Sequence, residues 1–144
     1  MQKQKVPVAA ILASCLLVTT LVFFGLWQSA RHDQSDLRRL AQAGASEAYQ
    51  SFSDFQARGA QSDYWHGVAA FRSYENAYTL LTDGTNKAAD RIFVNEIYGS
   101  LVLSPERSGQ HIAELLEVLA LLTEDVEDPN AYARMSDLRN FLQE

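Results

Sequence analysis

The sequence predicts an all-α protein: a single N-terminal transmembrane helix followed by an antiparallel bundle of four to five helices. Three observations carry this reading. Val6 to Trp27 (VPVAAILASCLLVTTLVFFGLW) is a nearly continuous apolar run without a single charge. From Asp33 onward, apolar residues recur at three- and four-residue spacing, the period of an amphipathic helix. Glycine and proline signals then divide that remainder into segments of helical length. The expected organisation is a short tail at 1–5, a transmembrane signal anchor at 6–27 and a soluble helical domain at 28–144.

The 22 positions of the apolar run reach about 33 Å as a helix, enough for a hydrocarbon layer of about 30 Å. A cleaved signal peptide has a shorter apolar core and a small residue where Gln28 stands in Gln28-Ser29-Ala30, so retention as an anchor is favoured. Leu12-Ala13-Ser14-Cys15 resembles a bacterial lipobox, but Leu16 to Trp27 continues apolar where a lipidated cysteine is followed by a polar tether. Lys3 and Lys5 precede the run while Arg31, Arg38 and Arg39 follow it, so flanking charge barely discriminates orientation. The short leading tail favours a cytoplasmic N-terminus and an extracytoplasmic domain at the cell membrane. Ala9, Ala10, Ala13 and Ser14 give small-xxx-small spacing, a packing face through which a homodimer could form in the lipid bilayer.

Within the domain, Leu37, Leu40/Ala41, Gly44/Ala45, Ala48, Phe52 and Phe55 form the first stripe, with Gly59 placed as a left-handed stop. Because Gln28 to Asp36 holds no Gly or Pro, this helix is expected to continue directly from the anchor. Ser62 or Asp63 is expected to cap the second helix, whose stripe is Tyr64, Val68, Phe71, Tyr74, Tyr78 and Leu81, with Gly84 as its stop. Residues 91–103 (RIFVNEIYGSLVL) have two readings, a helix with Ala89, Ile92/Phe93, Glu96/Ile97 and Leu101 inward, or a short strand pair. The helix is favoured, since an isolated hairpin has no sheet to join. Ser104-Pro105-Glu106 starts the next helix, with Ile112, Leu115, Leu116, Leu119 and Leu122 on its apolar face. Asp128-Pro129 opens the last, lined by Tyr132, Met135, Leu138 and Phe141/Leu142.

Composition narrows function by exclusion. Residues 28–144 hold ten basic and eighteen acidic residues, a formal charge of −8, unsuited to nucleic acid or an anionic lipid surface. The domain has no cysteine, so it forms no disulfide. His32, His66 and His111 invite a metal reading, and Glu114 follows His111 at i+3, but carboxylate-bridged bundles need several inward Glu residues and Glu-x-x-His pairs on two helices, where this chain has a single reversed His-x-x-Glu. Nucleophile-elbow and phosphate-loop motifs are missing from the sequence, so no catalytic residue, metal or cofactor is expected.

Two residues suggest contact chemistry. Trp65 and Arg72 fall at the edge of the tyrosine stripe or outside it, and exposed Trp and Arg together have the composition of a partner surface. The competing reading packs Trp65 under a neighbouring helix and pairs Arg72 with Glu75. The small residues of the first stripe likewise mark either close packing inside the domain or a stalk that pairs with another chain. The leading expectation is a non-enzymatic, membrane-anchored interaction module holding another membrane or envelope protein. The alternative is a sensory or regulatory module that binds a small ligand between its helices.

Overall fold

The computed structural model describes residues 8–143, with side chains over 33–142. Six helices and no strand occur among the described residues: α1 (Val8–Arg58), α2 (Gln61–Leu81), α3 (Ala88–Leu103), α4 (Pro105–Gln110), α5 (Ile112–Glu124) and α6 (Pro129–Gln143). The chain divides into two units, Met1–Ser35 and Asp36–Glu144. The expected transmembrane anchor at 6–27, with its Ala9, Ala10, Ala13 and Ser14 face, lies outside the residues whose side chains are described. Among the described residues, no helix is long and apolar enough to cross a membrane.

In the second unit the helices form a ring in the order α1, α2, α3, α6, α5. Phe55 and Phe52 of α1 meet Tyr64 near the start of α2, and Gly44 meets the backbone of Tyr74 further along it, so these two run antiparallel. The α2–α3 pair is antiparallel too: Tyr78 lies against Asp90, Glu75 against Asn95, Arg72 over Tyr98, and Tyr64 against Leu101. On the other side, Gln42 donates to the Thr123 carbonyl at 2.6 Å while Phe55 approaches Gly109, which sets α1 antiparallel to α4 and α5. Helix α6 opposes α5 through Arg134–Glu117 and the His111–Phe141 stack.

The expected alternation fails between α3 and α6. Lys87 lies over Tyr132 while Phe93 and Glu96 meet Arg139, so these neighbours run parallel. The reason is geometric. An odd-membered ring cannot alternate direction all the way round, and one adjacent pair must agree.

Local chemistry explains most boundaries and some departures. Gly59 adopts φ +68° and its N–H returns to the Phe55 carbonyl at 2.7 Å, a left-handed cap that only glycine takes without strain. That turn is so short that Ala60, not Ser62 or Asp63, becomes the N-cap of α2, without a side-chain bond. Asp63 instead pairs with Arg58 across the turn at 3.2 Å. The 91–103 segment is helical throughout. Its buried face is Val94, Ile97 and Leu101, rotated from the expected one, so Ile92 is 54% exposed and Ala89 is outside. Contact between α3 and both α2 and α6, rather than with one neighbour, sets that rotation.

The helix expected from Ser104 onward breaks at His111, whose N–H turns back three residues to the Ser108 carbonyl. Ser104 occupies the N-cap position at its start without a side-chain capping bond, and Pro105 follows in the first turn. Asp128 accepts the Asn130 N–H at 2.8 Å and so caps α6, as its position suggests. At the end of α6, Leu142 is buried and Phe141 is 49% exposed.

Candidate functional site

Two regions of the bundle collect polar or aromatic side chains. The first is internal. Tyr74 and Tyr132 share a hydrogen bond at 2.8 Å, and Tyr132 donates onward to the Val126 carbonyl. Tyr78 stacks between them, 5.8 Å from Tyr74 and 5.1 Å from Tyr132, and its hydroxyl reaches Asp90 at 3.5 Å. Burial pushes the Tyr74 and Tyr132 hydroxyls far above their ordinary value. Burial likewise raises Tyr78, to about 12, with the Asp90 charge adding to the rise. These hydroxyls stay protonated and serve as structural bridges. A stripe of tyrosines ordinarily turns its hydroxyls to the rim of a core. The Tyr74–Tyr132 bridge instead lies within it, and no local spacing could signal a pairing 58 residues apart.

The second region runs along the outer side of α2. Arg72 pairs with Glu75, which is only 6% exposed, and Asn95 donates to the other Glu75 oxygen at 3.1 Å. The guanidinium also lies 4.7 Å over the Tyr98 ring. Arg72 is therefore held by its own domain. An Arg72→Ala variant is expected to cost about 1–3 kcal/mol, because a buried carboxylate loses its countercharge. A fall in the urea midpoint with unchanged slope would record it, and a midpoint within error of the parent would contradict this account.

Trp65 is placed differently. It makes an edge contact with Tyr64 at 5.4 Å yet remains 42% exposed. It stands at the end of the bundle away from Asp36, where α1 and α3 finish and α2 begins. Leu103 and Phe141 are exposed at the same end. Trp65 and Arg72 thus share α2 but have different surroundings, one partly open and the other tied into the α2–α3 seam.

The remaining candidates are quickly placed. His66 is exposed, and His32 lies outside the residues whose side chains are described. His111 stacks on Phe141 with Nδ1 3.6 Å from Glu114, so the reversed His-x-x-Glu is a close pair beside the α4–α5 break. Among the described residues no three His, Cys, Asp or Glu side chains gather in a metal-holding arrangement. A surface groove of about 710 Å³ runs beside Leu40, Ala43 and Thr123. On the opposite side of α1, Gly44 and the buried alanines 41, 45 and 48 serve close packing within the domain. No protein family, characterised protein or solved structure matches the chain.

Proposed function

We propose that this chain is a single-pass membrane protein whose helical domain, held outside the cytoplasm by an anchor at 6–27, recruits another membrane or envelope protein without catalysing a reaction. The apolar run supports the tether, since its length matches a bilayer and its composition lacks charge. The observation that carries the recruiting role is Trp65, a large aromatic side chain left part-exposed at one end of a bundle whose other large aromatics on α2 are buried. A tether adds affinity by confining both partners to one surface, so a small contact centred on one tryptophan suffices.

The test is photocrosslinking in native membranes from a reactive analogue at position 65, with position 50 on α1 as the control. The expected result is one discrete adduct at 65 that is absent at 50. Trp65→Ala is expected to abolish co-purification of the captured protein while costing only about 1 kcal/mol of stability through the lost Tyr64 edge contact. Equal labelling at both positions, or release of the chain from membranes by alkaline carbonate, would overturn the proposal.

A further inference from the structure

Nine aspartates stand in this chain, and Asp83 is the only one followed by glycine. A peptide nitrogen can attack the side-chain carboxyl of the residue before it, closing a five-membered imide. Two conditions favour that closure. The nitrogen must be free of helical hydrogen bonding, and its own residue must lack a side chain that crowds it.

Six of the nine fail the first condition, since Asp33, Asp36, Asp54, Asp63, Asp90 and Asp137 all lie inside helices. Asp128 precedes Pro129, whose nitrogen carries no proton to give up. Asp125 precedes Val126, which is β-branched and buried. Only Asp83, in the turn between α2 and α3, meets both.

The local geometry is already bent toward the reaction. The Asp83 side chain is 82% exposed, and its Oδ1 accepts the Gly84 N–H at 3.0 Å, so the carboxyl is folded over the nitrogen that would attack it. That N–H reaches no carbonyl, whereas the amides on either side are tied back: Asp83 to Leu80 at 3.4 Å and Thr85 to Thr82 at 3.1 Å. Gly84 takes φ +71°, with open space where a Cβ would stand. Arg91 Nη1 lies 3.4 Å from the same Oδ1, and Oδ2 has no partner among the described residues.

We infer that Asp83-Gly84 is a site of spontaneous covalent modification, at which the folded protein converts Asp83 to isoaspartate. The Gly84 nitrogen bonds to Asp83 Cγ, and the carboxyl hydroxyl leaves with the nitrogen's proton as one molecule of water. Solvent water then opens the imide. Addition at Cγ restores aspartate, while addition at the former main-chain carbonyl leaves the backbone running through Cβ and Cγ. No oxidant or reductant is consumed, and the mass returns to its starting value.

The product inserts one methylene into the main chain between Thr82 and Thr85, the two residues hydrogen-bonded across this turn. It also draws the carboxylate away from Arg91. Both changes loosen the junction of α2 with α3. Trp65 lies near the other end of α2, so the modification stands apart from the proposed recruiting surface.

The test is peptide mapping of the full-length chain in detergent, aged at physiological temperature and pH in oxygen-18 water. Isoaspartate carrying one heavy oxygen is expected at position 83, at about ten times the level at Asp125 or more. Its rate of formation is expected within about tenfold of that in the urea-unfolded chain, because no helical bond holds the Gly84 nitrogen. Asp83→Asn is expected to react faster, releasing ammonia, since an amide needs no protonated carboxylate to supply a leaving group. Gly84→Ala is expected to react about ten times slower or less, its methyl crowding the nitrogen. Asp83→Glu keeps the charge but would have to close a six-membered ring, so it is expected to stay unmodified. The aged parent is expected to lose melting temperature that aged Asp83→Glu retains. Isoaspartate that forms at 83 in urea but not in the folded chain, or no faster at 83 than at 125, would overturn the inference.

Discussion

Gly44→Val is expected to destabilise the domain by about 3 kcal/mol or more, the largest effect of any single replacement considered. A Cβ at Gly44 would stand 2.6 Å from the Tyr74 nitrogen, 3.0 Å from its Cα and 3.2 Å from the Ala70 carbonyl oxygen. All three are backbone atoms of α2. No rotamer change can relieve them, so α1 and α2 must separate. Separation would open the contacts of Ala41, Ala45, Ala48 and Phe52, all fully buried. The gain in helix propensity on losing glycine is at most about 1 kcal/mol, too small to offset that loss. Urea denaturation measures it, and a midpoint equal to the parent's would show that the two helices are not in such close contact. Gly99→Ala provides the contrast of sign, because the space around it is open.

Raising the pH above 10 is expected to unfold the bundle cooperatively. In the folded domain Tyr74, Tyr78 and Tyr132 hold their protons above the ordinary value of 10, which they regain on unfolding. Their contribution to stability is thus complete below pH 10 and declines as the pH rises through the folded values. For Tyr78 that window runs from 10 to about 12. Each such group removes about 1.4 kcal/mol per pH unit once the unfolded chain ionises, so three remove about 4. For a total of about 5–8 kcal/mol, the lower part of the usual range, the midpoint is expected at roughly pH 11–12. Tyrosinate absorbance at 295 nm and loss of far-ultraviolet ellipticity should then coincide. Tyrosine ionisation centred near pH 10 with the helices intact would contradict the burial of this cluster.

Both effects turn on contacts that differ in how far they are legible in the sequence. Gly59 announces its own turn, because left-handed backbone is a property of the residue. Asp128-Pro129 likewise carries its cap within three positions. Periodicity alone places Val68, Phe71, Tyr74 and Tyr78 inside, since a single stripe faces a single core. At α3 the same logic misassigns the face. Apolar residues lie on both sides of that helix, and Ile92 competes with Val94 and Ile97 for the interior. Only the positions of α2 and α6 decide which side is covered, and Ile92, Val102 and Leu103 are left exposed on the other.

Trp65 and Arg72 behave the same way at the candidate site. Their residue types and spacing are legible, and so is the option of an Arg72–Glu75 pair. That Asn95 and Tyr98 complete the hold on Arg72 is not, because those partners arrive from another helix.

Local chemistry, then, determined an all-helical chain, most of its turns and an uncharged leading segment, for these depend on neighbours a few residues apart. The tertiary structure decided the parallel α3–α6 contact, the Tyr74–Tyr132 bridge and the outward face of α3. Those features depend on which helices become neighbours when five close into a ring, and no window of sequence contains both sides of such a contact.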